Sequence, residues 1–457
     1  MKTILFDMYY GVSHTYSSLK LARILKERGY RIVYIGNEKY CSPAIQQGFD
    51  FVNHSPVLVP SLELLKMQKK RSVLFENLNN VFSDKVIIEA RQNIEAFKSI
   101  VKNIAPDVVL VDEEHTAKFF FYKLHHIPAI SVQTMPDKNQ TVNIPPFTSY
   151  FCPKPNSLAS AFIVSFLWTK KKIGIRSLIL FRSFKYMGQD ALSITKRLIK
   201  ENGANFSDLV SYNSSFKFCA KNNPLIILSA VDFDFPKQDQ GDVFRIGPLK
   251  DIGNSNGAVS PRFEVLRSKI AKWKENGNCS VIFCSLGTVT FGHMKRLDRF
   301  FKKMKQVAIM NPNMQFIFSV SENFDIEDLY PVPGNLSVFA NLPQFELLQY
   351  CDLMITHGGM NSITECIFSE VPILVYPLSF NWDQPGNSAR VVYHKLGLRG
   401  KINVDSPKTI SKKIHLILGN RQIYLDNIRQ MKKKFEQRNN STEVIDIIES
   451  IIEGNEK

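Results

Sequence analysis

Two α/β domains, each built on a parallel sheet, are predicted by three observations. Short apolar runs alternate with amphipathic helical patterns along most of the chain, which is typical of βαβ units. The alternation is interrupted at 237–262, a stretch rich in Gly, Asp, Asn and Pro and poor in apolar residues. The chain has 457 residues, whereas one domain usually holds roughly 100 to 200. We therefore expect two Rossmann-like domains with a ligand site in the cleft between them.

The first half begins with a strand, helix, strand pattern. Residues 3–6 and 31–35 have the composition of buried strands, and 14–28 between them has the periodicity of an amphipathic helix. Three further apolar runs predict strands over 107–111, 129–132 and 224–230. We expect the run at 224–230 to be the last strand of the first half. The predicted strands of the second half are 281–285, 315–320, 353–356 and 373–376.

These elements give four expected segments. The first domain spans 1–236, the linker 237–262 and the second domain 263–425. Residues 426–457 have a helical pattern and could pack back onto the first domain.

The most informative polar residues follow the predicted strand 353–356. His357-Gly358-Gly359 forms a turn whose glycines allow close backbone approach, and a helix begins near Asn361 and Ser362. The free N–H groups at a helix start favour anions, and these three polar side chains can donate further hydrogen bonds. The pattern predicts a diphosphate site.

Nearby positions suit the rest of a nucleotide sugar. Glu365 lies one helical turn beyond Ser362, where a carboxylate can accept hydrogen bonds from ribose hydroxyls. Asp383 and Gln384, beyond the next strand, offer acceptors and a donor for sugar hydroxyls.

The block 341–390 resembles the donor-binding signature of the UDP-glycosyltransferases, glycosyltransferase family 1, and the chain is similar to bacterial macrolide and carotenoid glycosyltransferases. A Pro-Gln pair, a THGGxNS turn, a glutamate and an Asp-Gln pair occur in the family's order. The resemblance implies the GT-B fold, with the acceptor in the first domain and the donor in the second. It also implies donor contacts from Ser285, Gly287, Thr288, Gln344, His357, Gly359, Asn361, Ser362, Glu365, Asp383 and Gln384.

Within that set the resemblance implies separate roles. Gln344 would contact the nucleobase, the His357 to Ser362 turn and the similar turn 285–288 the phosphates, Glu365 the ribose, and Asp383 with Gln384 the sugar. Three departures bear on specificity. Asn341 replaces a Trp that stacks on uracil in many members, Glu370 replaces a Gly, and Asn381-Trp382 are inserted before Asp383. Because of these departures, the sequence does not distinguish UDP from dTDP as the donor nucleotide. The assignment of Asp383 and Gln384 to the sugar is the least specific part of the resemblance.

A candidate base lies in the first half. His14 begins the helix at 14–28, at the position where the family carries its general base, although Ser13 and Ser17 replace the usual Gly and Pro. A histidine base needs a carboxylate to hold its tautomer, and the family's partner aspartate corresponds to Asp112. Glu113 could substitute, and a solvated acidic loop is the plain structural alternative.

The resemblance implies an inverting transferase that moves a hexose, preferably glucose, from a UDP-sugar to a hydroxyl of a small lipophilic acceptor. We expect no cofactor beyond the UDP-sugar co-substrate. We also expect no metal ion, because the sequence has no DxD-like site and a helix start can neutralise the diphosphate. A UDP-N-acetylglucosamine 2-epimerase-like isomerase and a non-catalytic helper of the same fold remain alternatives.

The net charge of +16 raises the question of an anionic partner. Basic residues cluster at 66–71 and within 158–187, where they follow an apolar run. Segment 158–187 could lie on an anionic membrane, with Trp168 at the interface, or could be a core helix with a solvated basic edge. Nucleic-acid binding is not expected, because no aromatic stacking motif accompanies the charge. The start of the sequence has no signal-peptide pattern, so we expect a cytoplasmic protein. Peripheral association with the inner face of the membrane is an alternative location.

Overall fold

The computed structural model describes residues 1–54, 57–61, 84–215, 218–236, 243–249, 261–275, 279–287, 292–321, 324–439 and 443–454. Thr288 and the basic cluster 66–71 lie outside the described residues.

The first domain is a sheet of seven parallel strands with helices on both faces. The strand order is β3-β2-β1-β4-β5-β8-β9, and a small antiparallel pair, β6-β7, lies apart from the sheet. Its strands are β1 (Thr3–Asp7), β2 (Arg31–Gly36), β3 (Asp50–Asn53), β4 (Val108–Asp112), β5 (Ala129–Gln133), β6 (Val210–Ser211), β7 (Cys219–Ala220), β8 (Leu225–Ala230) and β9 (Val243–Gly247). Its helices are α1 (Val12–Glu27), α2 (Glu38–Gln46), α3 (Lys85–Ile104), α4 (Thr116–Leu124), α5 (Leu158–Lys185), α6 (Ala191–Glu201) and α7 (Phe206–Leu209).

The second domain has a six-stranded parallel sheet in the order β12-β11-β10-β13-β14-β15. Its strands are β10 (Ser280–Ser285), β11 (Met314–Ser319), β12 (Leu336–Phe339), β13 (Leu353–Thr356), β14 (Ile373–Val375) and β15 (Gly397–Arg399). The remaining helices are α8 (Pro261–Glu275), α9 (Met294–Met310), α10 (Gln344–Leu348), α11 (Met360–Phe368), α12 (Gln384–Tyr393), α13 (Pro407–Gly419), α14 (Arg421–Asn439) and α15 (Glu443–Gly454). This is the doubly wound order. The predicted α/β class with two Rossmann-like domains is confirmed.

The central strands explain why the sequence folds this way. Every residue of β1, β4 and β13 is buried, as expected for parallel strands covered by helices on both faces. Their apolar runs therefore have no polar alternation, and the first polar residues after them lie at the carboxyl edge of each sheet. That edge is where ligands of open α/β sheets bind.

The segment predicted as linker, 237–262, is not linker throughout. Residues 243–247 form β9, which pairs in parallel with β8 and adds a seventh strand to the first sheet. The prediction that 224–230 is the last strand of the first half is therefore wrong. Strand β9 was missed because its short sequence, VFRIG, is embedded in a Gly- and Asp-rich stretch and contains Arg245, whose guanidinium pairs with Asp137 at 2.7 Å.

The C-terminal helices connect the two domains. Helix α14 packs into the core of the second domain through Ile428, Met431 and Phe435. Helix α15 then packs against β9 of the first sheet, and its buried Ile445 and Ile448 belong to the apolar cluster of the first domain. Full burial of such a side chain contributes roughly 1.5–3 kcal/mol, so α15 is a substantial part of the first domain's core.

A buried ion pair also joins the domains. Arg390 on α12 donates from Nε and Nη2 to Asp234 Oδ1, at 2.9 and 2.6 Å, and both side chains are buried. On the same helix Gly386 faces Phe147 so closely that a Cβ at Gly386 would lie 2.0 Å from the Phe147 carbonyl oxygen. These contacts hold α12 against the first domain.

Helix α5 differs from the core-helix expectation and from one detail of the membrane expectation for its segment. It runs unbroken for 28 residues, yet only Ser160, Val164 and Trp168 are buried. The core-helix interpretation is therefore wrong. The placement of Trp168 at an interface is also wrong, because its ring is buried and Nε1 donates to the Ile144 carbonyl at 2.7 Å. None of the helices among the described residues is long and apolar enough to span a bilayer.

Candidate active site

The first half of the site lies where the strand order of the first sheet reverses. His14 follows β1 in the first turn of α1, and Asp112 is the last residue of the neighbouring strand β4. His14 Nδ1 and Asp112 Oδ2 are 2.7 Å apart, and the Thr134 hydroxyl lies 3.3 Å from the same nitrogen. With Nδ1 engaged, Nε2 is the nitrogen left to exchange a proton with a ligand.

Three carboxylates act on the imidazole. Burial lowers the pKa of His14, but the charges of Asp112, Glu114 and Asp383 outweigh burial and raise it to about 9. Burial likewise opposes ionisation of Asp112, but the His14 charge and hydrogen bond lower the pKa of Asp112 overall. Without substrates the pair is therefore an imidazolium carboxylate at neutral pH.

The two glutamates after Asp112 have different surroundings. Glu113, the alternative partner for His14, instead forms a buried ion pair with Lys138 at 3.0 Å. Glu114 points toward the base: one ligand atom each from His14, Asp112 and Glu114 lie within 4.8 Å of one another. Burial raises the pKa of Glu114 to about 7. This trio could hold a metal ion, and Glu114 is a site residue that sequence reasoning passed over.

The second half of the site lies at the equivalent reversal point of the second sheet. Ser285 ends β10 and His357 follows the adjacent strand β13. Gly287 has φ +82°, and a Cβ there would lie 2.6 Å from His357 Cε1. A Cβ on Gly359 would lie 2.7 Å from His357 Nε2. The imidazole is thus held between two glycine positions that no larger residue could occupy without displacing it.

His357 is a neutral donor. Burial lowers its pKa to about 4, so the ring carries one N–H at physiological pH. Its Nδ1 is buried without a hydrogen-bond partner among the described residues. Such an atom next to a helix start is a natural contact for a phosphate oxygen.

The predicted base, phosphate and ribose ligands are joined by hydrogen bonds. Gln344 Nε2 donates to Ser362 Oγ at 3.1 Å and to Glu365 Oε2 at 2.6 Å. Ser362 and Glu365 are both buried on α11. The three side chains therefore form one preformed group.

Asn361 reaches across the cleft. Its Nδ2 donates to the Ser13 carbonyl at 3.2 Å, and its Oδ1 accepts from the Ser17 hydroxyl at 3.1 Å. The start of α11 thus contacts the turn of α1 that carries His14. The substitution of Ser at position 17, where the family has Pro, supplies one of these two hydrogen bonds.

The Asp-Gln pair is tied to the phosphate turn. Asn387 Nδ2 donates to Asp383 Oδ2 at 2.7 Å and to the Gly358 carbonyl at 2.8 Å. Burial raises the pKa of Asp383 to about 6. Gln384 Oε1 accepts from the backbone N–H groups of Leu378 and Ser379 at 2.9 and 2.8 Å. The side-chain oxygen of Gln384 is thus used to hold the backbone at Leu378 and Ser379, and the predicted contact of Gln384 with a sugar would be made by its amide N–H groups.

Comparison with known proteins adds a family context. Residues 305–451 match the family described as "Erythromycin biosynthesis protein CIII-like, C-terminal domain". The NDP-glycosyltransferase YjiC of Bacillus subtilis (strain 168) is 22% identical over 381 residues, which cover 82% of this chain and 79% of that protein. The zeaxanthin glucosyltransferase of Pseudescherichia vulneris is 28% identical over 178 residues, 38% of this chain and 41% of that protein.

A solved structure supports the arrangement of the two domains. The glycosyltransferase of kitacinnamycin superposes with a TM-score of 0.66 at 18% identity, covering 98% of each chain. At this identity the likeness shows the fold, which is that of the GT-B glycosyltransferases.

Proposed function

Because the chain belongs to the UDP-glycosyltransferases of glycosyltransferase family 1, we propose that this glycosyltransferase is an inverting, metal-independent enzyme that transfers a hexose from a UDP-sugar to a hydroxyl group. The observation that carries the proposal is the His14 to Asp112 pair, 2.7 Å long, set against the start of α11 through Asn361. A base and a predicted diphosphate site therefore face one another across the cleft.

In the proposed step His14 Nε2 takes the proton of the acceptor hydroxyl. The acceptor oxygen forms a bond to the anomeric carbon while the bond from that carbon to the diphosphate oxygen breaks. The electron pair leaves with UDP. Attack from the face opposite the diphosphate converts an α-linked donor into a β-glycoside.

Asp112 supports the proton transfer. Its carboxylate holds Nδ1 of His14, which orients Nε2 and stabilises the imidazolium formed when the proton is taken. Since the pKa of His14 in the substrate-free protein is about 9, the base form becomes available as the pH rises through that value. Activity should therefore increase toward alkaline pH.

On the donor side the proposal assigns the leaving diphosphate to the N–H groups at the start of α11, to His357 and to Ser362. Such oriented donors can neutralise developing charge without a divalent ion. The Gln344 and Glu365 pair would receive the nucleoside, since its amide and carboxylate match base and ribose groups. Full activity in EDTA would support metal independence, and restoration of lost activity by added Mg²⁺ or Mn²⁺ would contradict it.

The acceptor is proposed to be small and lipophilic. Support comes from the name of one relative, a zeaxanthin glucosyltransferase. A cytoplasmic enzyme that associates peripherally with the inner face of a membrane fits such an acceptor.

The test is a transfer screen of UDP- and dTDP-sugars against lipophilic alcohols and phenols, with mass detection and NMR assignment of the anomeric configuration. We expect a β-glycoside from an α-linked UDP-hexose, and on the order of 100-fold less product from the His14→Ala variant. An α-glycoside would contradict inversion. Conversion of the donor sugar to an epimer without acceptor would favour the isomerase, and no turnover with any donor would favour the non-catalytic helper.

A further inference from the structure

Helix α5 exposes an apolar stripe along its length. The six side chains that form it are Leu158, Phe162, Phe166, Ile173, Leu180 and Phe184, and all are exposed. Leu158 is 89% exposed, Phe162 75% and Phe184 85%. Large side chains this accessible are unusual on a free surface when they are contiguous.

The spacing of these residues places them on one helix face. Successive members are separated by four or seven residues, which returns the chain to nearly the same side of a helix. Val164 and Trp168, which hold α5 to the domain, lie on the opposite side. A helix of 28 residues is about 40 Å long, so the stripe is an extended ridge pointing away from the protein.

Basic residues accompany this stripe, and their spacing places Lys170 and Arg176 next to it. Helix α5 carries Lys170, Lys171, Lys172, Arg176, Arg182 and Lys185 and has no Asp or Glu. Lys170 and Arg176 are exposed. An exposed apolar ridge with basic margins matches the boundary between acyl chains and anionic headgroups.

A second copy of the chain would fit this surface poorly. Two α5 helices packed face to face would bring Lys170 and Arg176 of each helix together, with no acidic residue on either helix to pair with them. Like charges in close contact at an interface are destabilising. An anionic bilayer would compensate the charge and cover the apolar side chains at once.

We propose that the outward face of α5, from Leu158 to Phe184, is a membrane-binding surface that inserts its apolar stripe into the headgroup region of an anionic bilayer. The helix lies in the plane of the membrane and does not cross it. Val164 and Trp168 attach the helix to the first domain. The membrane-binding face and the first domain's side of the cleft therefore belong to the same domain. Binding to vesicles requires neither donor nor acceptor, so the inference can be tested independently of the proposed function.

The test is co-sedimentation of the full chain with vesicles of phosphatidylcholine alone and with 30% phosphatidylserine, at low and at physiological salt. We expect binding to the anionic vesicles that weakens with salt. Replacing Phe162 and Phe166 together with Ser should reduce the bound fraction by on the order of 10-fold or more, since both rings leave the bilayer. Val404→Ser, which removes an exposed apolar side chain of the second domain, should bind normally.

A charge variant separates the two components of the surface. Lys170→Gln with Arg176→Gln should weaken binding to anionic vesicles by about 10-fold at low salt and leave transfer to a water-soluble acceptor unchanged. Equal sedimentation of the Phe162/Phe166 variant and the unmodified protein would overturn the proposal. A dimer in light scattering that becomes monomeric in that variant would also overturn it and assign the stripe to a second copy.

Discussion

The two halves of the active site use different electrostatics. Around His14, the charges of three carboxylates raise the pKa of the imidazole to about 9, so this side chain changes charge near that pH. Around His357, burial lowers the pKa to about 4, so that imidazole stays neutral. On the proposed function, the first half would exchange a proton and the second would present neutral hydrogen-bond donors to an anion.

The difference shows how one residue type serves opposite roles. Both histidines follow a central strand of a parallel sheet, next to the point where the strand order reverses. The neighbouring strand ends in Asp112 in the first domain, whereas it leads into Ser285 and Gly287 in the second. The residues at the adjacent strand end therefore accompany opposite shifts in the pKa of the two imidazoles, upward for His14 and downward for His357.

The largest effect is expected for the base. His14→Ala should lower turnover by on the order of 100-fold or more, because proton transfer then falls to water, while UDP affinity stays nearly unchanged. Turnover and calorimetric UDP binding would be measured together. Near-normal turnover would show that His14 is not the base. The proposed difference in role between His14 and His357 would then be wrong.

Substitutions in the donor half of the site should lower the affinity for UDP. Glu365→Ala should weaken UDP binding by roughly 1 to 3 kcal/mol, because a buried carboxylate that accepts from Gln344 is lost from the nucleoside region. Asn361→Ala should act in the same direction. The exposed Glu327→Ala in the same domain is the matched control. Unchanged UDP affinity in both site variants by calorimetry would refute the donor assignment.

The geometry of the phosphate turn gives a steric test. Gly287→Ala should weaken UDP binding about 10-fold while leaving the fold intact, because a Cβ at 2.6 Å displaces the His357 ring and φ +82° is strained for alanine. Gly419→Ala, where a Cβ meets nothing within 4 Å, should bind UDP normally. Normal binding by both variants would show that the position of His357 is unimportant.

The pH profile tests the proton-exchanging half. Because the pKa of His14 is raised, kcat/KM should increase with pH and level off above about 9. Glu114→Gln removes one of the charges that raise it, so the midpoint should move toward lower pH by on the order of one unit or less. A circular-dichroism check should show an intact fold. An unmoved midpoint would mean that Glu114 does not act on His14.

The same shift affects stability. The pair of His14 with Asp112 stabilises the folded protein fully below the ordinary histidine pKa of 6.5 and loses this contribution as the pH rises through about 9. His14→Ala should therefore lower the melting temperature more at pH 6 than at pH 10. An equal loss at both pH values would contradict the raised pKa.

The smallest effect concerns the support of the donor helix. Glu370 follows α11 with φ +57°, a conformation that suits the glycine common in the family. Its carboxylate accepts from Arg429 at 2.8 Å and Lys432 at 2.9 Å on α14. Glu370→Ala loses these ion pairs and keeps the strain, whereas Glu370→Gly also relieves the strain. The Gly variant should be more stable than the Ala variant by up to about 1 kcal/mol in thermal unfolding, and the reverse order would contradict this account.

The sequence predicted most strands of the two sheets, whereas the roles of the predicted site residues stay predictions. Fully buried parallel strands have uninterrupted apolar runs, so β1, β4 and β13 could be recognised without tertiary information. Strand β9 could not, because its residues are only partly buried and include an arginine whose charge is compensated by Asp137 from another part of the chain.

By itself the sequence determined the fold class, the resemblance to the glycosyltransferases and the order of the donor motif, because these depend on local periodicity and on residue spacing along one segment. Only the tertiary structure decided which carboxylate serves His14, since Asp112, Glu113 and Glu114 are adjacent in sequence and differ in the partners that folding gives them. It also decided that α5 presents its apolar residues outward. Helical periodicity reveals that a face exists, but which face the protein covers depends on contacts with residues distant in the chain.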